Sequence, residues 1–124
     1  MPWTIRSDPK TILFDYLWAS QESDGAWPIR QEGKLPFLER DRRYLAFMVA
    51  LAVGYASDRY YEDASATGGF AKLQGFIRRN LPTNVHDKAV LLWTSVRTPG
   101  TLTDQEKSDY EHSLLALQRK DGGW

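Results

Sequence analysis

Two histidines and a scatter of carboxylates are the side chains here with acid–base or metal chemistry in reach, and their spacing keeps them apart. His86–Asp87 and Glu111–His112 are adjacent pairs. Sequence neighbours on a helix point to different faces, so neither pair is preassembled to pass a proton. Glu62 and Asp63, with Asp58 a helical turn earlier, fall near a helix start, where capping or surface placement accounts for them. A metal site needs more convergent ligands than these residues supply. Cysteine is absent, which removes thiolate nucleophiles, disulfides and cysteine-ligated metals. No catalytic residue, metal or cofactor is expected.

Sixteen basic and sixteen acidic residues cancel, so the basic surplus that offsets phosphates is missing and no nucleic-acid partner is expected. The arginine clusters Arg40/Arg42/Arg43 and Arg78/Arg79 read as solvated helix faces or helix ends. The N-terminal stretch lacks the apolar core of a signal peptide. The uncharged run Tyr44–Ser57 is shorter than the roughly 20 residues a membrane helix needs, so no transmembrane segment is expected. The expectation is a soluble, cytoplasmic protein, with peripheral membrane association left open.

The elements that must position these side chains announce themselves through a repeated phrase. Gln21-Glu-Ser-Asp24-Gly25-Ala-Trp27 and Gln118-Arg-Lys-Asp121-Gly122-Gly-Trp124 carry Gln, Asp, Gly and Trp at identical spacing, each after an apolar stretch. A phrase repeated at helix ends signals an array of helical units. Its physics is structural. A buried amide satisfies orphan groups at a helix end. Gly takes up backbone angles other residues resist, Asp favours turns, and Trp adds a large apolar face.

The pattern predicts helices over about 9–20, 37–57, 62–80, 85–97 and 104–118, within a single domain spanning 1–124. The first opens after Asp8 with Pro9 in its first turn and shows an apolar stripe through Ile12, Leu13, Tyr16 and Leu17. The second, opened by Pro36, is apolar on every side from Tyr44 to Ala56 and reads as buried. The third is weakened by Gly68, Gly69 and Gly75, and the Gly pair could shorten its front; Phe70, Leu73, Ile77 and Leu81 keep helical spacing. The fourth is capped by Asn84; Val85, Ala89, Leu92, Trp93 and Val96 mark its buried side, with Val90 and Leu91 making the rest apolar too. The fifth opens on the capping box Thr103–Glu106 and carries Tyr110, Leu114 and Leu117 on one face. Alternating buried and surface helices describe two layers of antiparallel helix pairs, and the fold class is all-α.

At this point the residues resemble a known family. Gln-x-x-x-Gly-x-Trp after a helix looks like the QW repeat of squalene–hopene and oxidosqualene cyclases, related to repeats in the α/α-toroid superfamily that includes prenyltransferase β subunits. The resemblance implies inner and outer helices paired round a ring, with the motif Gln bonded to a neighbouring helix terminus and the Trp stacked on it. Gln21 with Trp27 and Gln118 with Trp124 would be those clamps, with Asp24/Gly25 and Asp121/Gly122 forming the turns. The middle unit departs from the pattern at Arg79-Asn-Leu-Pro82. Five helices give a partial toroid, expected to be a piece of a longer array or to self-associate over its exposed inner face.

The resemblance implies polyprenoid (triterpene) cyclisation, an isomerase-type reaction, in the parent family. The Asp-x-Asp-Asp acid of those cyclases is absent, as are the Asp-Asp-x-x-Asp clamp of ionising synthases and the Cys of zinc prenyltransferases. The leading expectation is therefore a structural repeat domain without catalytic residues of its own. Tyr44, Phe47, Met48, Tyr55 and Trp93 are candidates to line a cavity for an apolar lipid ligand, with ordinary core packing as the other reading. Two further readings stay open: a helical scaffold that binds a lipid or a protein, and a polysaccharide lyase-like α/α toroid.

Overall fold

A computed structural model of the chain describes residues 9–28, 42–56 and 59–123, with side chains from residue 12 onward in the first segment. The described residues form five α-helices and no strand: α1 (Pro9–Ala19), α2 (Arg42–Tyr55), α3 (Thr67–Arg79), α4 (Val85–Arg97) and α5 (Asp104–Leu117). The all-α fold class follows. Asp8, Pro36 and Arg40 lie outside the described residues, as does Trp124.

Local chemistry sets the helix starts. The Asn84 side chain accepts the Asp87 amide at 2.8 Å and opens α4. Thr103 and Glu106 bond reciprocally, Glu106 N to Thr103 Oγ1 at 3.1 Å and Thr103 N to Glu106 Oε1 at 2.9 Å, and so open α5. The third helix begins at Thr67, not at 62. Ahead of it, Tyr60–Glu62 form a 3-10 turn entered through Arg59 in a left-handed conformation, φ 52°. The Asp63 carboxylate takes the Ser65 amide and hydroxyl, and its carbonyl takes the amides of Ala66 and Thr67. That turn consumes the residues expected to extend the helix, while Gly68 and Gly69 lie inside it.

α2 and α4 form the centre. They run in the same direction, since Tyr44 meets His86 near their starts and Gly54 lies against Arg97 and Thr98 at their ends. α3 packs on α2 in the opposite sense, with Arg42 at the start of α2 over the Phe76 ring near the end of α3. α5 packs on α4, with Lys88 over the Tyr110 ring. Ala46, Phe47, Ala50 and Val53 of α2, Leu73 and Ile77 of α3, and Leu91 of α4 are fully buried.

Two faces differ from the expected ones. On α4 the buried side is Asp87, Val90, Leu91, Thr94 and Ser95, whereas Ala89, Trp93 and Val96 are exposed. A helix apolar all round does not reveal its inner side by periodicity. Here the hydroxyls decide: Thr94 donates to Val90 O at 2.9 Å and Ser95 to Leu92 O at 2.6 Å, so both bury without an unmet polar group. On α1, Ile12, Leu13 and Tyr16 are exposed, and the helix docks instead through Phe14, stacked on Tyr60 at 4.6 Å, and through Trp18. On α5 Tyr110 is buried and Leu114 half-buried, while Leu117 is exposed.

Candidate functional site

The repeated phrase folds into the same loop twice. In the first loop Gln21 Nε2 donates to Gly25 O at 2.9 Å, Gly25 N to Glu22 O at 3.0 Å, Glu22 N to Ala26 O at 2.8 Å, and Ala26 N to Asp24 Oδ1 at 3.2 Å. In the second, Gln118 Nε2 donates to Gly122 O at 2.8 Å, Gly122 N to Arg119 O at 3.0 Å, Arg119 N to Gly123 O at 2.6 Å, and Gly123 N to Asp121 Oδ1 at 3.0 Å. Gly25 and Gly122 take φ of 98° and 90°, a region closed to most other residues. Bond for bond, the two loops match.

They differ in what they hold. The first loop grips α3: Gln21 Nε2 also donates to Gly69 O at 2.9 Å, and Arg79 Nη2 donates to Asp24 O at 2.8 Å. Gly25 lies so close to α3 that an added Cβ would come within 2.0 Å of Lys72 O. Gly69 explains itself in the same way, because a Cβ there would meet the Trp18 ring at 2.4 Å. Trp27 is buried, its indole N–H donating to Leu17 O at 2.8 Å and its ring centroid 6.0 Å from that of Trp18. Trp18 in turn donates to the Tyr60 hydroxyl at 2.9 Å. The second loop is exposed at Gln118 and Asp121, and its bonds among the described residues stay within the loop and the last turn of α5.

Arg42 completes the first loop. Its Nη2 donates to Glu22 Oε1 at 2.9 Å and to both Asp24 carboxylate oxygens at 3.1 and 3.0 Å, while its Nε donates to Trp27 O at 3.2 Å. The sequence marked Arg42 as a solvated face; the available signal was the acidic pair Glu22/Asp24 in the phrase. The Ala26 amide, and then the Arg42 guanidinium, hold the Asp24 carboxyl below its ordinary range, over an opposing push from burial. A lowered folded pKa contributes stability that is complete above the ordinary carboxylate range and is lost as pH falls through the folded value. Asp24→Asn should therefore unfold at lower urea than the parent at neutral pH, and the gap should close in strong acid.

The two glutamines provide a matched comparison. Gln21→Ala leaves the Gly25 and Gly69 carbonyls without their donor and is expected to cost about 1–3 kcal/mol. Gln118→Ala, at an exposed position, is expected to stay within about 0.5 kcal/mol. Urea denaturation of both variants reads the difference.

The five aromatic and Met positions divide. Phe47 is 0% exposed and belongs to the core, not to a cavity wall. Tyr44 is half-buried against His86, ring centroids 5.4 Å apart. Met48, Tyr55 and Trp93 are 37%, 45% and 53% exposed and share an open face of α2 and α4. The Trp93 indole donates to the Tyr55 hydroxyl, the rings meet edge to face, and the Arg97 guanidinium lies over the Tyr55 ring, 4.5 Å from its centroid. A cleft of about 390 Å³ opens at the Tyr55 end, bounded by Tyr55, Arg59, Tyr61, Val96 and Arg97; Met48 and Trp93 do not line it.

Three of the acid–base candidates are engaged elsewhere, and Asp58 lies outside the described residues. Glu62 pairs with Arg59 at 3.5 Å, Asp63 builds its turn, and the buried Asp87 takes the Asn84 side-chain amide on one oxygen at 2.9 Å. Glu106 is drawn upward by burial, but Arg78 and Thr103 outweigh that and leave its pKa lowered. No three metal-type ligands converge among the described residues. No described helix is long and apolar enough to cross a membrane. The arrangement binds helices to one another and leaves one aromatic face open. No known family model, curated protein or solved structure matches this chain.

Proposed function

We propose that this chain is a structural repeat domain of the α/α-toroid kind, resembling the helical walls of squalene–hopene and oxidosqualene cyclases. In this reading α1, α3 and α5 are outer helices and α2 and α4 are inner ones. The observation that carries it is the duplicated loop, identical in its hydrogen bonds at the ends of α1 and α5. The parallel run of α2 and α4, with α3 reversed against α2, supports the same layering. The role that fits is binding without turnover. The open face holding Met48, Tyr55 and Trp93 offers an apolar and aromatic surface to a polyprenoid chain, and no described carboxylate cluster supplies an acid to protonate it.

Titration with squalene-type polyprenoids in detergent tests this, read by tryptophan fluorescence and by product analysis. Saturable quenching that Trp93→Ala diminishes, with no cyclised product, is the expected result. Cyclised product would overturn the non-catalytic reading, and no saturable binding would remove the lipid ligand.

A further inference from the structure

The cleft at the ends of α2 and α4 is rich in unspent hydrogen-bond donors. Arg97 lies over the Tyr55 ring, which fixes its head without neutralising it, and it meets no carboxylate among the described residues. Arg59 reaches the Tyr61 hydroxyl at 3.4 Å and Glu62 at 3.5 Å, two long and exposed contacts. Both leave from Nε, so its two Nη groups carry no bond among the described residues. The Tyr55 and Tyr61 hydroxyls accept from Trp93 and Arg59, and each keeps its own proton to give. Arg59 also holds a left-handed backbone, φ 52°, a conformation that concentrates at turns and ligand sites.

Apolar surface completes the cleft, through Val96 and the rings of Tyr55 and Tyr61. Its volume of about 390 Å³ lies at the small end for a ligand pocket, which suits one compact molecule and not a long chain. Glu62 and the partial negative charge of the helix ends offset part of the two guanidiniums, so one negative charge is matched better than two. We propose that this cleft binds a monocarboxylate with a ring-sized apolar body. Arg59 and Arg97 hold the carboxylate, and Tyr55, Tyr61 and Val96 take the body. The site is separate from the polyprenoid surface, since Met48 and Trp93 do not line it.

Benzoate titrated into the intact protein at low salt tests this, with the Nε–H resonances of Arg59 and Arg97 and the Tyr55 ring resonances followed. Saturable shifts at all three are expected. Acetate, which lacks the body, and inorganic phosphate should each bind at least about fivefold more weakly, and benzylammonium should not bind. Arg59→Gln and Arg97→Gln should each weaken benzoate about fivefold or more, while Lys120→Gln leaves it unchanged. Both arginines are exposed, so neither change should move the urea midpoint, and either variant carries the test alone if the other fails to fold. No saturable shift from benzoate overturns the site. Equal binding of acetate overturns the apolar body, equal binding of phosphate the single charge, and equal binding of benzylammonium the selection for anions. Benzoate binding that survives loss of either arginine overturns their assignment.

Discussion

Gly25→Ala is expected to be among the most damaging single-methyl additions available in this chain, costing about 3 kcal/mol or more. Two penalties add. A left-handed backbone at φ 98° costs a non-glycine residue about 1–2 kcal/mol. The new Cβ would also stand 2.0 Å from Lys72 O and 2.6 Å from its carbonyl carbon, so the loop must lift away from α3. Lifting breaks the Gln21 bond to Gly69 O. Gly122→Ala supplies the control: its φ is 90°, but its Cβ meets nothing nearer than 3.9 Å, so it should cost about 1–2 kcal/mol. Equal urea midpoints for the two variants would show that the first loop does not press on α3.

Trp27→Ala is the second large effect, expected at about 3–5 kcal/mol. The indole is 5% exposed, its ring lies against Trp18, and its N–H closes Leu17 O at the end of α1. Truncation opens a cavity between α1 and the loop, and Trp18, which also bonds Tyr60, loses a wall. Trp27→Phe keeps one aromatic ring but loses the indole donor and part of the ring volume, so it should cost less than the Ala variant, about 1–3 kcal/mol. Thermal or urea unfolding of the pair reads how much of the loss a single ring recovers. The loss should spread beyond the loop, because α1 reaches the rest of the protein through Phe14, Trp18 and Trp27.

The parts of this fold that were legible in the sequence are those written in local chemistry. Asn84 and the Thr103–Glu106 box each declare a helix start within a few residues, and the helices over 85–97 and 104–117 begin where they say. The phrase itself was legible for the same reason, since each loop closes on its own carbonyls.

What was not legible depends on partners far along the chain. Nothing near Gln21 names Gly69, and nothing near Arg42 names Glu22 and Asp24. The inner face of α4 was misjudged because Thr94 and Ser95 bury their hydroxyls in their own helix, a solution hydrophobic periodicity does not register. On α1 the stripe Ile12–Leu13–Tyr16 has good helical spacing but is left exposed among the described residues, while Phe14 and Trp18 have neighbours supplied by the 3-10 turn. The front of α3 was overextended because Asp63 folds its own turn with Ser65.

The shared direction of α2 and α4 has an electrical consequence. Peptide dipoles in parallel rods add rather than cancel, so one rim gathers partial positive charge and the opposite rim partial negative charge. The reversed α3 offsets part of that field, and Arg97 sits on the rim where the carbonyls of α4 terminate. At the Tyr55 end Arg59 and Arg97 bring full positive charges that outweigh the partial negative charge of the helix ends, so the cleft there is set to meet anionic rather than cationic groups.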